Sequence, residues 1–347
     1  MSTDLIGGVL QIGIGVKNMP ISRKWYADNL GFNAIALEEE SVTHLMKVYT
    51  GDTSHERQAW VIMNMAGAGG LEVWQYLSRK PQFSQWPISL GDLGIFASII
   101  GSPSPEVLYN SLQDVRWKSK YFKEEKTFLF CDPFGNYFQV KWQELLGKKL
   151  NNGVIGAIVD CSDLNRSIAF YENILGYQQI SQHEKNPLAI FDGVNGSSHR
   201  LESALLKKPK GTIGGFSNFL GGSMIHLVQA KDLQPKKIYE GRFWGDPGFI
   251  HVCFDVTDMD QLKLHCERHG HSFTVDSFET ENGKSFEMGK VMSRVAYIED
   301  PDGTAIEFVE THKLPIIAGF TINFKKNGQR KNVPHWVLQL LSLRKVK

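Results

Sequence analysis

Few of the side chains in this chain that could act as nucleophiles, bases or metal ligands sit in the local motifs that usually announce such chemistry. His265 and His269 are four apart in His265-Cys266-Glu267-Arg268-His269, the spacing that puts two imidazoles on one helix face. Metalloprotease chemistry needs a glutamate directly after the first histidine; Cys266 stands there, so the segment reads as a solvated helix face. The glycine-rich run from Gly211 to Gly222 lacks the Gly-Lys-Ser/Thr ending of a phosphate loop and reads as a mobile loop ahead of a strand. Cys131, Cys161, Cys253 and Cys266 are scattered without Cys-x-x-Cys spacing, which indicates neither a zinc knuckle nor a disulfide framework. No Gly-x-Ser-x-Gly elbow and no catalytic-cysteine signature occurs. Any active centre must therefore be assembled from residues far apart in sequence, by elements that have to be found first.

The bulk properties fit such an assembly. At 347 residues the chain can form two domains of ordinary size, and 42% hydrophobic with 22% charged residues suits a globular protein with a real core. A formal net charge of +1 provides no field to gather nucleic acid or acidic membranes, so neither is expected as a partner. The opening MSTDLIGG lacks the basic and apolar regions of a signal peptide, and no apolar run approaches the roughly 18–20 residues of a membrane span. The expectation is a cytoplasmic protein with reduced thiols, monomeric or homodimeric.

The elements emerge from an internal repeat. Leu10 to Phe32 (LQIGIGVKNMPISRKWYADNLGF) matches Ile155 to Tyr177 (IGAIVDCSDLNRSIAFYENILGY) at constant offset, pairing Tyr26 with Tyr171, Leu30 with Leu175 and Gly31 with Gly176. Each stretch reads as a short apolar strand, a turn and an amphipathic helix stopped by glycine. A second repeat interleaves: Asp132-Pro133-Phe134-Gly135-Asn136 launches the alternating strand YFQVKW, and Asp300-Pro301-Asp302-Gly303-Thr304 launches AIEFVE. Strands GIFASIIG (from Gly94) and FIHVCFDV (from Phe249) precede these, each leading into a helix. Four units follow one another at about 8–80, 91–145, 153–232 and 247–312. The domains expected are 1–147, 148–312 and a tail, 313–347. From Thr311 to Lys347 the tail holds eight Lys or Arg and no Asp or Glu, and its end, Val333 to Leu343, is apolar enough to dock as a helix.

The strand opening on a donor side chain, the helix ending in Tyr-x-x-x-Leu-Gly and the closing Asp-Pro-x-Gly followed by a strand with glutamate resemble glyoxalase I, methylmalonyl-CoA epimerase, extradiol dioxygenases and bleomycin-resistance proteins. These form the vicinal oxygen chelate superfamily, and the likeness runs from Gly8 to Thr311, nearest to the glyoxalase-like members. It implies an α+β fold of four βαβββ modules, paired into two open, cupped mixed sheets. It also implies a divalent metal held by the first and last strands of two paired modules. Module one then supplies Gln11 and Glu72, module two Ile95 and Gln139, module three Gly156 and His226, and module four His251 and Glu307. Ile95 and Gly156 offer no donor atom, so one cup is expected to hold metal and its twin not.

Which modules pair decides the ligand set. Pairing of one with four, the favoured arrangement, gives Gln11, Glu72, His251 and Glu307, the glyoxalase I set. Sequential pairing gives His226, His251 and Glu307, two histidines and a carboxylate suited to Fe(II) and oxygen. The first set implies a metal-dependent isomerase or lyase that moves a proton next to a carbonyl, with Glu307 as leading base and Glu72 as second carboxylate. Zn, Ni, Co, Mn and Fe are all compatible. The second implies an Fe(II) extradiol-type dioxygenase, and a third possibility is a non-catalytic small-molecule binder with a cleft of Trp25, Trp74, Trp142 and Trp244. Glyoxalases of this type carry an arginine that grips glutathione four residues after the first ligand, and an asparagine four after the first glutamate. Here those positions are Gly15 and Tyr76, so the substrate is expected not to be a glutathione adduct.

Overall fold

The computed structural model describes residues 5–144, 151–183, 189–209, 213–317, 319–326, 329–330 and 332–346. The first module comprises β1 (Ile6–Gly15), α1 (Met19–Leu30), β2 (Ala34–Val42), β3 (Glu56–Met63) and β4 (Gly70–Tyr76). The second has β5 (Gly94–Ser102), α2 (Pro105–Ser111), β6 (Trp117–Lys118), β7 (Thr127–Cys131) and β8 (Tyr137–Trp142). The third has β9 (Val154–Asp160), α3 (Leu164–Asn173), β10 (Gln178–His183), β11 (Leu201–Lys208), α4 (Ser217–Leu220) and β12 (Ser223–Ala230). The fourth has β13 (Gly248–Val256), α5 (Met259–Arg268), β14 (Val275–Asp276), α6 (Ser277–Thr280), β15 (Phe286–Met288), β16 (Val291–Glu299) and β17 (Ala305–Ile317). Strand β18 (Phe320–Asn323) and helix α7 (His335–Gln339) follow.

Local chemistry sets the helix boundaries. Asn18, Asp163 and Asp258 precede α1, α3 and α5, and each side chain accepts the backbone N–H three residues on. Such a cap is worth about 1 kcal/mol. Gly31, at φ +71°, closes α1 in the left-handed conformation that only glycine adopts without penalty.

Two sheets result. One runs β14-β16-β17-β13-β1-β4-β3-β2, with β15 beside β16 and β18 beside β17; the other runs β10-β11-β12-β9-β5-β8-β7-β6. At the middle of each, two first strands meet antiparallel, β1 against β13 and β9 against β5. Each first strand also lies parallel to the last strand of its own module. Module one thus shares a sheet with module four, and two with three. Each sheet takes one module from either half of the chain.

One apolar cluster, including Ile12, Tyr26, Phe138, Tyr171, Phe254 and Phe308, draws on both sheets and their helices. The two sequence repeats turn out to be halves of one device within it. Tyr26 donates its hydroxyl to Asp132 (2.7 Å) and Tyr171 donates to Asp300 (3.3 Å). The same aspartates accept backbone N–H groups of their own turns, Phe134 and Asn136 in one case, Asp302 and Thr304 in the other. Burial pushes the Asp300 carboxyl up to about 6. The helix of module one is therefore fastened to module two, and that of three to four.

The end of the chain packs on the first sheet. Val337, Leu338 and Leu341 are buried, Gln339 Nε2 donates to the Met65 carbonyl, and the Val346 N–H bonds Asn33 (3.0 Å). Within the glycine-rich segment, residues 211 and 212 lie outside the described residues. The remainder is not a free loop: it forms α4, and Phe216, Phe219 and Leu220 are buried against the first sheet's concave side. The His265–His269 helix face behaves as a surface, with His265 Nε2 on the Asn173 carbonyl (2.8 Å). All four cysteines are buried free thiols. No described helix is long and apolar enough to cross a membrane.

Candidate metal centre

The seam between β1 and β13 decides what the first cup can hold. Gln11 faces Cys253 and Gly13 faces His251 across it. Gly13 also lies beside Glu72 on β4, and Cys253 beside Glu307 on β17. Four donors from four strands distant in sequence therefore meet at one point. Gly13 makes this meeting physically possible, because a Cβ there would stand 2.6 Å from Cε1 of the His251 ring. Only glycine leaves room for the imidazole to lie flat over β1.

The histidine is fully buried between the two carboxylates. His251 Nε2 is 3.2 Å from Glu72 Oε2 and 3.1 Å from Glu307 Oε2. Neither approach is aligned as a hydrogen bond, and both ring nitrogens are left without a hydrogen-bond partner although no water reaches them. Gln11 Nε2 reaches Glu72 (3.1 Å) and Glu307 (3.4 Å). Burial, the largest single influence, pulls the imidazole pKa down, but Glu307 and then Glu72 outweigh it and push it up to about 10. Burial likewise pushes the Glu307 carboxyl up, and His251 with Tyr297 brings it below the usual range.

Glu72, His251 and Glu307 can place one ligand atom each within 4.8 Å of one another, all three buried. Separations near 3 Å are those of neighbouring ligands around an ion with bonds of about 2.1 Å. An amide turned over about its last bond would present Gln11 Oε1 to the same point. Two carboxylates, an imidazole and an amide oxygen form a donor set for a divalent ion of borderline hardness. The buried Nε2, in ion-pair range of both carboxylates, is the atom that would give up its proton and bind such an ion.

Two residues that carry no motif complete the surroundings. Tyr297, opposite Glu307 on β16, donates its hydroxyl to Glu307 Oε1 at 2.6 Å. The corresponding neighbour of Glu72 on β3 is Val61, so the two carboxylates have different backing. Trp244 stacks on the His251 ring, centroids 5.7 Å apart and planes 16° from parallel. Of the four tryptophans considered for a cleft, Trp74 and Trp244 line this cavity, with ring centroids 4.7 Å apart. Trp25 instead packs on Phe130 and Phe134, and Trp142 is 47% exposed.

The segment carrying Trp244 accounts for both departures from the glutathione pattern. A Cβ at Gly15 would stand 2.1 Å from the Asp246 carbonyl oxygen, so no side chain fits there. Tyr76 donates its hydroxyl to the Trp244 carbonyl, and Arg79 holds Asp246 at 2.6 Å. Both positions anchor this segment over the site.

The structure does not assemble the two-histidine set. His226 lies on β12 of the other sheet, stacked on Phe191, and lines a second cavity with Gln139, Thr127 and Lys141. It reaches neither His251 nor Glu307, because modules three and four do not share a sheet. The register in that second cup also needs one correction. Gln139 faces Ile99, and the position matching Gln11 is Ala97 rather than Ile95, whose side chain joins the central core. Gly156 is closed to any side chain, since a Cβ would lie 1.8 Å from the Met224 carbonyl oxygen.

Comparison with known proteins follows the same lines. Residues 157–308 match the model of the Glyoxalase/Bleomycin resistance protein/Dioxygenase superfamily. The lactoylglutathione lyase of Schizosaccharomyces pombe is 28% identical over 185 residues, 50% of this chain and 52% of that protein. The chain thus spans about half the length of that relative. Glyoxalase I from Zea mays superposes with a TM-score of 0.52 at 14% identity, covering 87% of this chain and 92% of that one. A putative dioxygenase from Bacillus subtilis gives 0.54 at 14% identity, covering 88% and 85%. At such identities the likeness is one of fold.

Proposed function

We propose that this member of the Glyoxalase/Bleomycin resistance protein/Dioxygenase superfamily is a divalent-metal-dependent isomerase or lyase that moves a proton on the carbon next to a carbonyl. The observation carrying this reading is the buried His251 set between Glu72 and Glu307, with Gln11 in reach, at the end of an apolar cavity.

Gln11, Glu72, His251 and Glu307 would hold the ion, and Zn, Ni, Co, Mn and Fe all suit these donors. The bound ion would supply Lewis acidity, stabilising charge that develops on a carbonyl oxygen during proton removal. Glu307 is the leading base. Tyr297 fixes its Oε1 and so orients the carboxylate, whose Oε2 lies among His251 and Gln11. Glu72, beside the aliphatic Val61, is the second carboxylate and returns the proton. Trp74 and Trp244 keep water from this end of the cavity and so strengthen every charge interaction within it. We read the substrate as other than a glutathione adduct; the Trp244 segment, which crowds Gly15 and is held by Tyr76, supports this.

Purified protein should contain about one divalent ion per chain. With acetoin or benzoin in deuterated water it should exchange the hydrogen next to the carbonyl, and Glu307→Gln should stop that exchange while retaining part of the metal. Exchange that is indifferent to Glu307→Gln would refute this assignment of the base.

A further inference from the structure

The cavity running from the glutamate–histidine trio is walled by aliphatic and aromatic side chains, among them Leu37, Met63, Phe219, Met288 and Leu341, and encloses about 200 Å³. Arg57 is an exception on that wall. Its side chain is 7% exposed and lines the cavity from β3, where it faces Tyr76. Glu39 neutralises it through Nη2 at 2.5 Å. The Nε and Nη1 groups, however, point at no acceptor and are out of reach of water. Leaving buried N–H donors of a charged group unsatisfied is costly, and native proteins rarely do so without a ligand to receive. The guanidinium carbon stands 5.6 Å from the centroid of the Trp74 ring, which also lines the cavity.

We propose that Arg57 is a specificity residue that receives a neutral oxygen acceptor, of the carbonyl type, at the far end of a substrate whose vicinal oxygens sit at the trio. This rests on the metal reading above. Charge decides the class of acceptor. The Arg57–Glu39 pair is already neutral, so a carboxylate brought there would be a buried anion without a counter-ion, whereas a carbonyl is not penalised in this way. Spacing decides the body. Position 57 lies opposite residue 76, four residues along β4 from Glu72, or about 13 Å. Once the reach of the two side chains is subtracted, an apolar body of about one ring separates the substrate's two polar ends, in keeping with the apolar walls.

Two benzohydroxamates test this, because a hydroxamate offers two vicinal oxygens to a metal and does not turn over. 4-Acetylbenzohydroxamate and 4-isopropylbenzohydroxamate have nearly the same shape and differ in one carbonyl oxygen. Metal-loaded protein should bind the acetyl compound about tenfold more tightly in calorimetry, the worth of one hydrogen bond to a charged donor. An apolar cavity without that donor would prefer the isopropyl compound. Arg57→Gln combined with Glu39→Gln, which leaves no unpaired charge, should remove or reverse the preference. A wild-type ratio of one or below, a preference that survives in the double variant, or failure of both compounds to bind would each overturn the proposal. Metal content measured alongside separates the two ideas. Protein that holds its ion yet does not discriminate refutes the role of Arg57 alone, whereas protein that takes up no ion refutes the metal reading itself.

Discussion

The two cups have the same strand order and opposite chemistry. In the first, a glycine on the opening strand, Gly13, makes space for an imidazole, and two last-strand glutamates converge on it. In the second, the last strands still offer Gln139 and His226, but the opening strands between them carry Ala97, Ile99 and Gly156, and the backbone at Gly156 is closed by the Met224 carbonyl. The difference teaches that the ligand-poor cup lacks more than a donor atom. Its seam has been packed as core, with Ile99 and Ile158 in one apolar cluster, so restoring a single histidine would not restore a site.

The comparison breaks most directly at the trio. His251→Ala or Glu307→Ala should take the bound divalent ion from about one per chain to none while circular dichroism keeps its native shape. Full metal content in either variant would show that the ion sits elsewhere. Next in size, Glu72→Gln should weaken metal affinity by about 100-fold and His226→Ala by less than about twofold, since the first removes a charged donor and the second lies in the other cup. The reverse pattern would transfer the site to His226. Third, Gly13→Ala should cost about 3 kcal/mol by forcing a methyl into the His251 ring, and should lose the metal as well. Ile99→Ala at the matching position should cost a similar amount of stability and leave metal affinity untouched. Urea unfolding beside metal titration checks both, and metal loss in Ile99→Ala would mean that the cups are coupled.

The smallest effect concerns the fastenings between modules. With its carboxyl at about 6, against an ordinary 3.8, Asp300 binds its proton more tightly folded than unfolded. The stability this contributes is complete below about pH 4 and is lost as pH rises through 6. Asp300→Asn lacks that dependence, so its unfolding free energy relative to the parent should rise by about 2 kcal/mol between pH 4 and 7. A flat difference would mean that the aspartate is ionised throughout.

Much of this could be read from the sequence because repeats report on geometry. The matched Gly31 and Gly176, and the paired Asp-Pro-x-Gly turns, give four modules in order, and the fold follows from them. The candidate donors Gln11, Glu72, His251 and Glu307 are legible only through the family resemblance that the repeat carries, which says which strand positions to look at. Register at β5 was readable only by counting back from the helix. Gln11, Gly156 and His251 each stand seven before an N-cap residue, Asn18, Asp163 and Asp258, and the same count from Ser104 gives Ala97. The apolar run itself marks no position. Tyr297 and Arg57 were hidden, and Trp244 was legible only as one of four candidate cleft tryptophans, not for the segment it carries. Each acts through a contact across strands or from a loop, and no local spacing encodes such a contact. Gly15 and Tyr76 signalled only that something had changed there; what replaced the missing partners required coordinates.

The seam between β1 and β13 also has a consequence for how the molecule is made. The strand bearing Gln11 leaves the ribosome some 240 residues before its partner, which bears His251. Until then β1 has only β4 beside it and presents an unpaired, largely apolar edge, the kind of surface that recruits strands from neighbouring chains. Closure of so long a loop is slow. The first cup can therefore close only once β13 has emerged, and a chain interrupted after the second module would be left with the β1 edge uncovered.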